Sequence, residues 1–227
     1  MATSQSSQQA GPPYPSYKEL QSDMVHIIHC PDAAKRLFWP LDGVLPTSIS
    51  VMRTSSSPDS LEPYFQPDTE GNSCGTWHEI SQLPLTEPKV SSVQVSVYHL
   101  DEWEDTWLEH HRGHIEAEPT KNEAKLVIKP SAGNDYVMVH DYVSAVHPWL
   151  MSMREDILKA TMLFLGNPRS PPTDFMVKHT PQTISLEEKE DWVRRVGRGP
   201  PKYPMSPSFL EKLRSDHAFV INLPNAP

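Results

Sequence analysis

Twenty-four prolines interrupt this 227-residue chain, about twice the usual frequency of ~5%. Each proline fixes φ at about −65° and removes a backbone donor, so long helices and central strands are excluded wherever prolines gather. The chain must fold from short elements joined by many loops. Its length is that of one domain and is enough to bury about 70% of the unfolded surface without disulfides or metal.

Residues 1–15 are rich in Ser, Gln, Pro and Gly, offer little to bury and are expected to form a disordered tail. Residues 16–227 are then expected to form a single α+β domain. Ser16-Tyr17-Lys18-Glu19 fits a capping box. Leu20, Met24, Ile27 and Ile28 follow at helical spacing, which predicts a helix that Pro31 ends, with a second short helix over Pro31–Phe38. Thr47–Arg53 alternates weakly, as a strand would. Thr54–Ser73 lacks periodicity and reads as a loop, so long loops are expected near 54–75 and 166–184.

Residues 90–166 carry the clearest patterns. Val93, Val95 and Val97 alternate with polar neighbours, the signature of a half-buried strand. Asp101–Gly113 predicts a helix with acids at its start and His110, His111 and Arg112 at its end, the charge order the helix dipole favours. Lys125–Lys129 and Tyr136–His140 predict strands joined as a hairpin. A long helix is expected from near Ser144 or His147, with Pro148 in its first turn and Val146, Leu150, Met153, Ile157, Ala160 and Phe164 on one face. Ser185-Leu186-Glu187-Glu188 offers another capping box, opening a helix with Trp192, Val193 and Val196. A short helix over Pro207–Arg214 and a strand over Ala218–Leu223 complete the reading. This order suits an α+β fold: a small antiparallel sheet covered on one face by helices, with a ferredoxin-like core as one candidate topology.

The formal charge of −9 opposes binding to phosphate backbones or an anionic membrane surface, so neither nucleic acid nor membrane is expected as a partner. The start of the chain lacks the cationic and apolar pattern of a secretory signal. Cys30 and Cys74 are therefore expected as reduced thiols of a soluble cytoplasmic or nuclear protein that is not secreted.

Several residues invite a chemical reading. His140 and His147 bracket Asp141 at a strand-to-helix junction, where a histidine and an orienting carboxylate could act as general acid and base. His140, Asp141 and His147 are thus the leading catalytic candidates. His110 and His114 have the spacing of two helical metal ligands, but Gly113 falls between them; a solvated helix end is the simpler account. His26, His29 and Cys30 flank an apolar helical face, and Cys74 sits in a glycine-bearing loop near His78. No metal or cofactor is expected: the nucleotide-loop, zinc-protease and α/β-hydrolase signatures are all missing.

Pro200-Pro201-Lys202-Tyr203 matches the Pro-Pro-x-Tyr pattern read by WW domains, making Pro200, Pro201 and Tyr203 candidate partner-binding residues. Trp103, Trp107, Trp149 and Trp192 are expected in the core, where they could also line a pocket for an apolar small molecule. Two functional classes follow. One is a non-enzymatic accessory or protein-interaction protein, which needs no hidden catalytic constellation. The other is a small cofactor-free enzyme or apolar-ligand binder using the His/Asp groups.

Overall fold

In the computed structural model, which describes residues 13–29, 35–68, 75–103, 124–165 and 174–197, short elements are gathered into several small sheets and a set of helices. Helix α1 (Tyr17–Ser22) starts as its capping box requires: the Glu19 amide donates to Ser16 Oγ at 3.2 Å, and the Ser16 amide donates to the Glu19 carboxylate at 2.6 Å. The helix ends well before Pro31. Met24 takes φ of 53°, a left-handed stop, and the chain enters strand β1 (Ile28–His29). Leu20 is buried, whereas Met24 and Ile28 are 92% and 45% exposed. Met24 and Ile28 bury little, so the helix gains little packing by continuing past Leu20.

Strands β2 (Leu37–Phe38), β3 (Ser50–Met52) and β4 (Leu61–Pro63) form a three-stranded antiparallel sheet. Strands β5 (Phe65–Pro67) and β6 (Gly75–Trp77) pair antiparallel, and β1 pairs with β7 (Thr86–Glu87). The loop expected over 54–73 is therefore partly strand. Two of its three prolines, Pro63 and Pro67, lie on sheet-edge strands, where a lost donor is tolerated. Gly75 is required at its position, because a Cβ there would meet Phe65 Cζ at 2.2 Å.

The largest sheet contains β8 (Val93–Val97), β9 (Lys125–Ile128), β10 (Phe175–His179) and β11 (Thr183–Glu188), in the order β10-β11-β8-β9. β8–β9 and β10–β11 are antiparallel, but β11 runs parallel to β8, with Ile184 opposite Val97. The sheet is thus mixed rather than purely antiparallel, and its order is not that of a ferredoxin-like core. A long connection between β9 and β10, holding α2 (Val139–Ser152) and α3 (Arg154–Leu165), allows the hairpin to return in the parallel sense.

Tyr136–His140 is not a strand. Only an isolated bridge from Met138 to Pro84 remains, and His140 lies in the first turn of α2. The start is set by Asp141, whose carboxylate accepts from the Met138 amide at 2.9 Å. Pro148 consequently falls inside the helix, which breaks at Met153 before α3 begins. Ser185–Glu188 is strand β11, and α4 (Lys189–Gly197) opens only afterwards. There the period-2 burial of Ile184, Leu186 and Glu188 prevails over the capping-box pattern. Residues 98–103 are helical; the remainder of the helix expected to Gly113, the helix over Pro207–Arg214 and the strand over Ala218–Leu223 lie outside the described residues.

Trp39, Tyr64, Tyr142 and Phe175 are the largest fully buried side chains. They share one core with the inward valines of β8 and with Val143, Val146, Leu150 and Ile157 of the helical connection. A smaller cluster joins Trp192 of α4 to Met52 and Met176, with Phe38, Val193 and Val196 packed against it. Trp149 is partly buried against the main core, whereas Trp103 is 39% exposed.

Candidate functional site

Helix α2 positions all the catalytic candidates. His140 and His147 are seven residues apart on it, hence on one side and about 10 Å apart along the axis. Asp141 is rotated by roughly a quarter turn from His140. Among the described residues no hydrogen bond joins these side chains; each is engaged elsewhere.

His147 is held at both ring nitrogens. Trp39 Nε1 donates to Nδ1 at 3.0 Å, and Nε2 meets the Gly43 carbonyl at 3.0 Å. An indole nitrogen can only donate, so Nδ1 bears no proton and Nε2–H is the donor to Gly43. The imidazole is 2% exposed. The loop that supplies Gly43 is itself fixed by its neighbour Asp42, which Arg154 at the start of α3 grips through Nε and, at 2.9 Å, through Nη2. The hydrogen bonds to Asp42 hold the Arg154 guanidinium charged more firmly than usual.

Asp141 serves the helix start. Its carboxylate accepts from the Met138 amide at 2.9 Å, the Ser131 amide at 3.1 Å and the Ser131 hydroxyl. The loop from Ser131 to Met138 is thereby closed onto the first turn of α2 instead of forming a hairpin. The nearby Tyr64 phenol is fully buried, and its hydroxyl finds no partner among the described residues. Burial first, and the charge of Asp141 second, raise its pKa.

His140 is only partly buried. Its ring lies 4.3 Å from the Trp77 ring centroid, and its nitrogens are 3.3 and 3.4 Å from Ser144 Oγ. Burial lowers its pKa, while the charge of Asp141 acts in the opposite sense. Trp77 in turn packs on Phe65 at 4.6 Å and Tyr64 at 5.5 Å. Below it, His78 accepts the Ile80 amide at Nδ1, so its Nε2–H faces Glu62 at 3.2 Å. That bond, helped by Arg53, lowers the Glu62 pKa.

A second group of rings surrounds Trp39. The His179 ring is 5.5 Å from Trp39, 5.8 Å from Tyr142 and 5.4 Å from His29. Tyr142 donates its hydroxyl to the Thr180 carbonyl at 2.8 Å, and burial raises its pKa. Burial drives the His29 pKa down to about 4. Among the described residues no group of three or more His, Cys, Asp or Glu side chains could hold a metal ion. Likewise no helix among them is long and apolar enough to cross a membrane.

Cys30, Cys74, Trp107, His110, His111, His114, Pro200, Pro201 and Tyr203 lie outside the described residues. Sequence reading overlooked the residues that define what His147 and Asp141 do: Trp39, Gly43 and Ser131. The first two reach His147 across 108 and 104 positions of sequence, which no local periodicity reports. Ser131 lies ten residues before Asp141, beyond the few positions that local side-chain capping patterns span. No family model matches the chain, and no curated protein or solved structure does so either.

Proposed function

We propose that this chain is a non-enzymatic accessory protein that works by binding other proteins. The observation that carries this reading is the state of His147: a general base needs an open ring nitrogen in reach of substrate, and both of its nitrogens are taken by Trp39 and Gly43. Asp141, with its oxygens on Ser131 and Met138, is a helix cap rather than a partner to an imidazole. The acidic balance of the chain supports protein partners over nucleic acid.

Pro200, Pro201 and Tyr203 are the proposed handle for a WW-domain partner in the cytoplasm or nucleus. A polyproline II segment presents its prolines already extended, so binding loses little backbone entropy. Titrating the full chain with a Pro-Pro-x-Tyr-selective WW domain tests this. Saturable binding that Tyr203→Ala abolishes, with an unchanged melting transition, is expected. Equal binding by the variant, or none by the parent chain, defeats the proposal.

A second reading has one observation behind it. His140, half-buried against Trp77 with its pKa lowered by burial, is a neutral base beside an apolar ring. It would serve a cofactor-free enzyme or a binder of apolar molecules. Detectable turnover abolished by His140→Gln, in a variant of normal stability, would favour that reading over ours.

A further inference from the structure

The outward row of β8 borders a groove that none of the candidate histidines lines. It encloses about 540 Å³. Lys18 and Gln21 of α1 rim it, Gln94 and Ser96 of β8 floor it, and Lys125 and Thr183 contribute from β9 and β11. Among the described residues no Asp or Glu lines it, although acids outnumber lysines and arginines 29 to 20 in the chain. Neither Lys18 nor Lys125 forms an ion pair among the described residues.

The floor also offers unused backbone. The Ser96 amide donates to the Gln182 carbonyl at 2.8 Å, so Ser96 points its peptide groups away from β9. In an antiparallel pair such orientation alternates, and Gln94 therefore points the same way. Ser92 does too: its carbonyl accepts from the Tyr17 amide at 2.9 Å. Gln94 lies between these occupied positions, and no backbone bond joins it to a turn or loop residue among those described. β11 cannot reach it. A turn tied by Thr180 and Thr183, with Pro181 inside, carries the chain away just before the strand begins. The Gln21 and Gln182 side-chain amides bond reciprocally at 2.9 and 3.2 Å, fixing α1 to that turn.

We propose that this groove binds an extended, carboxylate-bearing peptide segment of a partner protein, which pairs its backbone with Gln94 and sets its acids on Lys18 and Lys125. A two-fold contact between copies through this groove would set like-charged lysines against each other, which favours a different, acidic partner. β8 is an interior strand, but β11 pairs with it only at Ser96 and Val97, and an extended segment at Gln94 would use main-chain hydrogen bonds for affinity and side-chain contacts for choice. The proposal rests on reading the chain as a partner-binding protein, but its residues are not those of the Pro200–Tyr203 handle. A failed WW titration and a failed peptide titration are therefore separable results.

The test is fluorescence anisotropy with the full chain and a short labelled peptide alternating glutamate and threonine. We expect binding at least about tenfold tighter than to counterparts with glutamine or lysine in place of glutamate. The double variant Lys18→Gln, Lys125→Gln should lose that preference while keeping its melting transition. N-methylating alternate peptide amides, in each of the two phases, should weaken one phase and spare the other, as strand pairing at one residue requires. Absence of binding to the acidic peptide, equal affinity for the glutamine peptide, or an unchanged double variant overturns the proposal. So does indifference to both N-methylation phases, or displacement by citrate at the same concentration as by peptide, either of which reduces the groove to a patch for small anions.

Discussion

The two sides of β8 and β9 obey opposite rules. On the inward side stand Val93, Val95, Val97 and Ile128, all within 2% of full burial, and two polar groups that reach the same core are bound to other protein groups, whereas the buried Tyr64 hydroxyl has no partner among the described residues. His147 is closed by Trp39 and Gly43, and Tyr142 donates to the Thr180 carbonyl. On the outward side, Gln94, Lys125 and Val127 are exposed, and Lys18 and Lys125 make no ion pair among the described residues. Burial favours the pairing of a polar group, because leaving it unmet costs about 1–3 kcal/mol. Solvent makes no such demand. Under the function we propose, His147 and Asp141 serve the structure, and binding falls to groups the protein has not already used.

The largest effect should come from breaking the inward side at its centre. Trp39→Ala removes a fully buried indole and strips His147 of its donor, at an expected cost of about 3–5 kcal/mol. Trp39→Phe keeps most of the volume and loses the bond, for about 1–3 kcal/mol. Urea denaturation of both variants separates packing from hydrogen bonding. If the phenylalanine variant matches the parent, His147 is not held as described.

The next effect is on pH. His29 has its folded-state pKa lowered from 6.5 to about 4 by burial. Above the unfolded value both states are neutral and no penalty exists. As pH falls from about 6.5 to about 4, the unfolded chain takes up a proton that the folded chain refuses, so stability declines over that window by about 2–3 kcal/mol. Burial shifts His99 and His140 in the same direction, adding to the slope. His29→Phe should flatten the profile measured by thermal unfolding across that range. A parent protein equally stable at both ends contradicts the buried, neutral His29.

Asp141 comes third. Asp141→Ala removes the carboxylate that caps α2 and gathers Ser131, an expected loss of about 1–2 kcal/mol. Hydrogen exchange should then rise at Met138 and in the 131–138 loop more than in β8. Uniform exchange would show that the cap is not local.

What the chain disclosed in advance follows the range of the interactions concerned. The Ser16–Glu19 capping box and the alternation of Val93, Val95 and Val97 are local and were legible. The mixed strand order was not, because the parallel contact of Thr183 and Ile184 with β8 joins segments far apart in sequence. Local signals also misled where two of them competed. At Ser185–Glu188 the capping-box pattern and the strand alternation occupy the same residues, and tertiary pairing with β10 decided for the strand. At Met24 and Ile28 the helical spacing is real but buries little. The candidate site shows the same division. His140, Asp141 and His147 drew attention as residue types, yet their roles are set by Trp77, Ser131, Trp39 and Gly43, all outside the helix that carries them.

The smallest stability effect should come from the outward side, and its smallness is the point. Lys18 and Lys125 are exposed and make no ion pair among the described residues, so the double variant Lys18→Gln, Lys125→Gln removes no folded-state contact. Surface changes of this kind stay within about ±0.5 kcal/mol. Calorimetry should therefore place the variant's melting transition on that of the parent, at low and at moderate salt alike. A loss comparable to that of Asp141→Ala would mean that the lysines support the fold after all. The two sides of the sheet would then not differ in the way their burial implies, and the groove would have to be read as part of the core's own support.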